Sequence, residues 1–139
     1  MKLYESYLEE LQNDIKYRIT IVEKSLISIS KITKYNPIFG DKIDDEWGRF
    51  IFITLSLKEI KDVQKLIIKH WKEQTVPWYM DGYQIGDKNK IIIAFGADDG
   101  NNGQIFIFNK TDKKECAKFK KYGLSKKIPY DQLNICKEK

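Results

Sequence analysis

The residues best suited to chemistry form an aromatic and acidic set near the middle of the chain. Trp78, Tyr79, Asp81 and Tyr83 fall within six positions, and Trp47 follows a run of three acids earlier in the sequence. Aromatic walls with a few convergent carboxylates are typical of small-molecule pockets and of protein-interaction hot spots. We therefore take these five residues as candidate ligand- or partner-binding residues, and we assign no catalytic residue. The alternative is that the rings border the core and the acids solvate loops.

Other residues with catalytic or metal-binding chemistry are few. His70 is the one histidine, and no Ser or Cys motif accompanies it, so a catalytic triad has no support. Cys116 and Cys136 lack metal-ligand spacing, and we expect both to be reduced thiols. Gly-rich phosphate-binding motifs are absent. We expect no cofactor and no metal, and an enzyme is the less favoured interpretation.

The charge of the chain is unevenly distributed. The formal net charge is +5, yet residues 110–139 alone hold ten lysines and four acids. A basic terminus suggests nucleic-acid binding, but this one contains no arginine, the preferred reader of phosphate and guanine. We interpret it as a solvated lysine face and expect no nucleic-acid partner. No apolar run is long enough for a membrane span, so we expect a cytoplasmic protein without membrane contact.

A central hairpin is predicted over residues 90–109. Two apolar runs, rich in β-branched and aromatic residues, flank a block at 98–103 that contains only Asp, Asn and Gly. These residue types form tight turns, so the block is predicted to be the loop of a hairpin. A calcium-binding loop is the alternative, but the block is too short for one. Residues 91–95 are apolar at both odd and even positions. A strand of this kind is covered on both of its faces.

Local signals place the elements on either side of this hairpin. Residues 49–55 have the composition of a strand, and Ser56 and Glu59 have the spacing of a capping box that begins a helix. Asn36-Pro37 is expected to end the N-terminal segment, because the residue before a proline is disfavoured in the α conformation. Residues 36–48 are therefore predicted to form a loop. After the hairpin, we expect a helix over residues 112–122.

The N-terminal segment, residues 3–33, contains no glycine or proline and is predicted to be helical. Its second half is dense in β-branched residues, so a strand there is the alternative. One helix of this length would span about 45 Å, whereas a compact domain of this size is about 37 Å across. We therefore expect either self-association as a homodimer or a break between Arg18 and Val22. The apolar stripe comprises Tyr4, Leu8, Leu11, Ile15, Ile19, Val22, Leu26 and Ile29.

Together these elements predict a single α+β domain over residues 1–139, with an N-terminal helical segment at 3–33 and a sheet–helix core at 49–136. We expect a mostly antiparallel sheet with helices on one face, which is a ferredoxin-like variant preceded by a long N-terminal helix.

Three classes of function are consistent with this reading. We favour a non-catalytic protein-interaction or binding module of the inhibitor, immunity or adaptor type, with a protein partner or self-association. The alternative is a small enzyme that uses an aromatic and carboxylate pocket around residues 78–83. The second alternative is lysine-driven nucleic-acid binding.

Overall fold

The computed structural model describes residues 15–45, 47–67, 78–98 and 101–126, together with residues 128 and 133. The strands are β1 (Lys16–Val22), β2 (Ile38–Asp44), β3 (Gly48–Ser56), β4 (Tyr79–Gln84), β5 (Asp87–Phe95), β6 (Ala97–Asp98), β7 (Asn101–Asn102) and β8 (Ile105–Asn109). The described α-helices are α1 (Leu57–Gln64) and α2 (Lys113–Ser125), and 3₁₀ helices cover Glu23–Ser25 and Ile29–Tyr35.

Six of these strands form one open sheet in the order β2-β3-β1-β4-β5-β8. Every neighbouring pair is antiparallel. Strands β3 and β4 therefore run in the same direction on either side of β1, and α1 connects them. The predicted α+β class with a mostly antiparallel sheet is confirmed.

The hairpin of β5 and β8 is confirmed at its predicted bounds, because Lys90 is opposite Asn109. All residues from Ile91 to Phe95 are buried, as expected for a strand covered on both faces. Within the loop that joins the two strands, β6 pairs with β7 in a separate two-stranded ladder.

The two α-helices pack on opposite faces of the sheet, which corrects the expectation of helices on one face. On the first face, here called face A, Ile92 and Met80 share a cluster with Ile60 and Val63 of α1. On the other, face B, Phe95 shares a cluster with Phe119 of α2. The reason is the two-sided apolar pattern of β5, which requires cover from both directions. The ferredoxin-like arrangement is therefore not confirmed.

The long N-terminal helix is also not confirmed. Residues 16–22 form β1, in which Tyr17, Ile19 and Ile21 are buried on face A and the intervening residues are not. This two-residue period replaces the helical stripe, so the alternative of a strand is correct for these residues. Residues 3–14 of the predicted helix lie outside the described part of the chain. The sheet consequently begins at Lys16 rather than near residue 49.

The loop predicted over residues 36–48 contains the edge strand β2. Its register with β3 shifts twice, between Phe39 and Lys42 and again between Lys42 and Asp44. Gly40 and the charged residues in this strand resemble loop composition, and exposure at the edge of the sheet explains why they are accommodated in a strand.

Both α-helices have side-chain caps at their N-termini. The Ser56 hydroxyl accepts a hydrogen bond from the Glu59 amide at 3.3 Å, and the Glu59 carboxylate accepts one from the Ser56 amide at 2.8 Å, so the predicted capping box is confirmed. The cap of α2 is Asp112, which accepts from the Glu115 amide at 3.1 Å, and the helix extends to Ser125.

Two further findings bear on the surroundings of the protein. Cys116 is disulfide-bonded, which corrects the expectation of a reduced thiol at this position. Disulfides persist mainly in oxidising compartments, and the cytoplasmic localisation expected from the sequence stays a prediction. None of the helices in the described ranges is both long enough and apolar enough to cross a membrane.

Candidate functional site

Trp47 and Trp78 meet at one end of the sheet, although 30 residues separate them in the sequence. Their ring centroids are 5.6 Å apart and the rings are perpendicular. Trp47 lies in the β2–β3 turn, where its amide donates a 2.7 Å hydrogen bond to the Asp44 carboxylate. Trp78 precedes β4 and packs against the core of face A. This pair is partly exposed, so it borders the core and also presents aromatic surface.

Tyr79 lies on face B within an aromatic cluster rather than in an open pocket. Its ring is 5.4 Å from that of Phe95 and 6.3 Å from that of Phe119. Burial, and to a smaller extent the charge of Asp81, raises the pKa of the Tyr79 phenol. This residue therefore remains a neutral phenol at all physiological pH values.

Asp81 lies on the same face, opposite Thr20 of β1 and Ile93 of β5. Burial raises the pKa of its carboxyl group to about 6. A carboxyl group in this range changes charge near neutral pH, which is the property that a general base or a pH-dependent contact requires.

Tyr83 lies near the other end of β4, opposite Arg18 of β1. It lines a groove of about 540 Å³ beside the β4–β5 turn. The five predicted site residues are therefore spread along β4 and around one end of the sheet. The structure brings Trp47 to Trp78, but it does not gather all five around one concavity.

The half of face B formed by β1 and β3 is more exposed than the half next to α2. In the described part of the chain, α2 and residues 128 and 133 pack over β5 and its neighbours, and no element packs over Phe50, Phe52 and Thr54 of β3. The Phe50 and Phe52 rings lie 6.3 Å apart on this surface. Ile38 of β2 is opposite Phe52 and is 56% exposed, so the apolar surface reaches the edge of the sheet.

Large exposed apolar residues concentrate at this edge, here called the β2–β3 edge. Four of the eight exposed large apolar residues in the described ranges lie in these two strands, at Ile38, Phe39, Ile43 and Phe50. β2 has β3 as its one partner in the sheet. Ile38, opposite Phe52, lies on face B with Phe50, whereas Phe39, opposite Ile51, lies on face A beneath the Arg49 guanidinium group. Exposed apolar side chains on an edge strand form an interaction surface or an aggregation liability unless something covers them.

The charges around the β2–β3 edge are predominantly acidic. Lys42 forms an ion pair with Asp45, and Arg49 forms one with Glu23 at 3.0 Å. Hydrogen bonds from Arg49 hold the pKa of the Glu23 carboxyl below its usual value. The two nearby cations are thus neutralised locally, while the exposed residues Asp41 and Asp44 add negative charge.

Sequence reasoning missed both Arg18 and the β2–β3 edge. The sequence places Arg18 in a predicted helix, where a single basic residue does not indicate a binding site. The strand register instead places it beside Thr54 and Tyr83. The alternation of Tyr17, Ile19 and Ile21 is the signal that could have revealed it.

Comparison of the chain with protein-family models, with curated proteins and with solved structures finds no match.

Proposed function

We propose that the protein is a non-catalytic interaction module that binds a partner protein through the β2–β3 edge. The observation that carries this proposal is the concentration of Ile38, Phe39, Ile43 and Phe50 at an exposed edge of the sheet. Exposed aromatic and aliphatic side chains of this kind are common at the centre of protein interfaces.

The acidic surroundings specify the partner further. Asp41 and Asp44 lie in β2 beside the exposed apolar residues, and the nearby Lys42 and Arg49 already have acidic partners. A partner with an apolar centre and basic flanking residues complements this surface. The two register shifts in β2 interrupt the ladder, so side-chain contacts rather than a long added strand provide the recognition.

A cross-linking experiment tests the proposal. A photo-reactive residue is placed at Asp41 and, as the control, at Lys58 on α1, and the proteins joined to each are identified. We expect a partner specific to position 41. With that partner purified, Ile38→Lys should weaken binding by about tenfold or more, because a central apolar contact of a hot spot contributes about 2 kcal/mol.

Ile85→Lys is the matched control, since Ile85 is 51% exposed but lies at the β4–β5 turn. It should leave the affinity unchanged. Equal weakening by both substitutions, or the same proteins captured from positions 41 and 58, would contradict the proposal. Cross-links to a second copy of the chain would replace the foreign partner with self-association.

A small enzyme that uses Asp81 is the second candidate, and the raised pKa of this carboxyl group is what favours it. A base whose pKa lies near the working pH is efficient in proton transfer. Turnover of chromogenic ester, phosphate or glycoside substrates that rises through pH 6 and disappears in Asp81→Asn would support this candidate. A preparation inactive toward the whole panel would leave the interaction module as the better account.

A further inference from the structure

A groove at the end of face B opposite the Trp47–Trp78 pair is separate from the β2–β3 edge. It has a volume of about 540 Å³, which is within the range of small-molecule sites. Four strands, β3, β1, β4 and β5, and the β4–β5 turn supply its walls. The residues that line it are Arg18, Thr54, Tyr83, Ile85, Gly86 and Lys88.

Arg18 is the central cation of this groove. Its Nη1 donates a 3.1 Å hydrogen bond to Thr54 Oγ1, which fixes the position of the guanidinium group. No carboxylate of the described residues forms an ion pair with it. A guanidinium group has five N–H donors, so the bond to Thr54 leaves most of them available.

The second arginine of the chain shows what a neutralised guanidinium looks like in this protein. Arg49 binds the Glu23 carboxylate through Nε at 3.2 Å and through Nη2 at 3.0 Å. Arg18 has the same functional group, but the side chain that accepts its hydrogen bond is the neutral hydroxyl of Thr54 rather than a carboxylate. The two arginines thus differ in a way that leaves Arg18 suited to an external anion.

Lys88 places a second cation over the same groove. Its ammonium group is 5.9 Å from the centroid of the Tyr83 ring, and Tyr83 lies directly across the strand pair from Arg18. The nearest acids do not line the groove: Asp81 lies two residues along β4, and Asp87 accepts a hydrogen bond from the Asn89 amide at 3.2 Å. Two cations therefore line the groove, and none of the acids in the described part of the chain lines it with them.

We propose that this groove binds a small organic anion, either a phosphate ester or a carboxylate, with Arg18 as the principal contact. The planar guanidinium group matches two oxygens of such an anion, and Lys88 supplies a point charge beside it. Because Thr54 Oγ1 accepts from Arg18, its own proton is available to the anion. Tyr83 and the half-exposed Ile85 contact the carbon skeleton of the ligand.

Titrations of the full chain with inorganic phosphate, phenyl phosphate and benzoate test this proposal and distinguish the two anions. We expect saturable binding, with phenyl phosphate or benzoate tighter than inorganic phosphate because of the aromatic and apolar walls. Arg18→Gln should weaken binding by about tenfold or more, since a hydrogen bond to a charged group contributes at least that factor. Lys88→Gln should weaken it by a smaller factor.

Lys58→Gln removes the same charge from the exposed surface of α1 and is the matched control. Binding that is lost equally in Lys58→Gln and Arg18→Gln would show nonspecific attraction to a basic chain and would overturn the proposal. The absence of saturation at millimolar ligand would also overturn it. If Arg18→Gln fails to fold, Lys88→Gln decides the question, because Lys88 is an exposed residue near the start of β5.

Discussion

The two halves of the sheet differ in how their faces are covered. In the hairpin half, β5 is buried on both faces, with α1 on one side and α2 on the other. In the other half, β1 and β3 alternate between buried residues on face A and partly exposed residues on face B. Both halves therefore contribute to the core on face A, and among the described residues the β1–β3 half has the more exposed face B.

The two proposed binding surfaces can be placed relative to these halves. The β2–β3 edge belongs to the β1–β3 half, whereas the Arg18 groove extends from that half across β4 to Lys88 of β5. The aromatic residues of the hairpin half, although more numerous, are used in packing: Phe119 alone contacts the rings of Tyr79, Phe95, Phe106 and Phe108. Aromatic content by itself does not distinguish a core from a binding site.

The largest effect is expected from a pair of phenylalanine substitutions that compares the halves directly. Phe119→Ala should lower the free energy of unfolding by about 4 kcal/mol, because the side chain is fully buried in the aromatic cluster. Phe50→Ala, at a residue 37% exposed on the open half, should lower it by less than about 1 kcal/mol. Urea denaturation measures both, and similar losses would show that face B is equally covered in the two halves.

A somewhat smaller effect is expected at Gln64, which connects α1 to the hairpin half. Its Nε2 donates to the Phe95 carbonyl at 2.7 Å and to the Gly103 carbonyl at 2.9 Å. Gln64→Leu leaves both carbonyls without a donor and should lower the unfolding free energy by about 3 kcal/mol. Gln104→Leu, at an exposed position in the same loop, is the control. A Gln64 variant as stable as the control would mean that water satisfies these carbonyls.

Asp81 lies at the boundary between the halves, and its titration reports how well that boundary is covered. Its folded pKa of about 6 lies above the unfolded value of about 4, so the folded state binds the proton more tightly. Relative to Asp81→Asn, the wild type should lose about 2 kcal/mol of stability as pH rises from 4 to 7.5, after allowance for solvent screening. A stability difference independent of pH would place Asp81 in open solvent.

The smallest effect is expected at the helix caps. Ser56→Ala, at the end of β3, should lower the unfolding free energy by about 1 kcal/mol through loss of the N-cap acceptor. Thr111→Ala should change it by only a few tenths, because Asp112 caps α2 and the Thr111 hydroxyl donates to the neighbouring Asn109 side chain. Denaturation midpoints compare the two, and equal shifts would show that the Ser56 cap contributes nothing specific.

The features that could be predicted from the sequence are those that local residues decide. The hairpin register follows from two apolar runs around an Asp/Asn/Gly loop, and the cap at Ser56 follows from a spacing of three residues. The sequence does not distinguish a helix from a strand at β1, because Ile19 and Val22 fit a helical period as well as a strand. Residues 16–22 form a strand because they pair with β3 and β4, which are distant in the sequence.

The candidate site was predicted in its residue types more than in its arrangement. The sequence predicts Trp78 and Trp47 as candidate site residues, but only the fold shows that they are in contact. The sequence predicts Tyr79 as a binding residue in the same way, but its ring packs in the aromatic cluster on face B. The reason is that successive residues of β4 lie on opposite faces of the sheet. Ile38 and Phe39 look like loop residues, since an exposed edge strand lacks a buried pattern.

The central position of β1 has a consequence for how the chain folds. Ile19 pairs with Ile53 on one side and with Gly82 on the other, so the first described strand gains its second neighbour only when the chain has been synthesised past β4. Such distant pairings are typical of domains that fold in milliseconds to seconds rather than microseconds. During synthesis on the ribosome, the edge of β1 that pairs with β4 therefore stays unpaired until β4 has been made. In chains truncated before residue 79, this edge remains available for pairing with other strands.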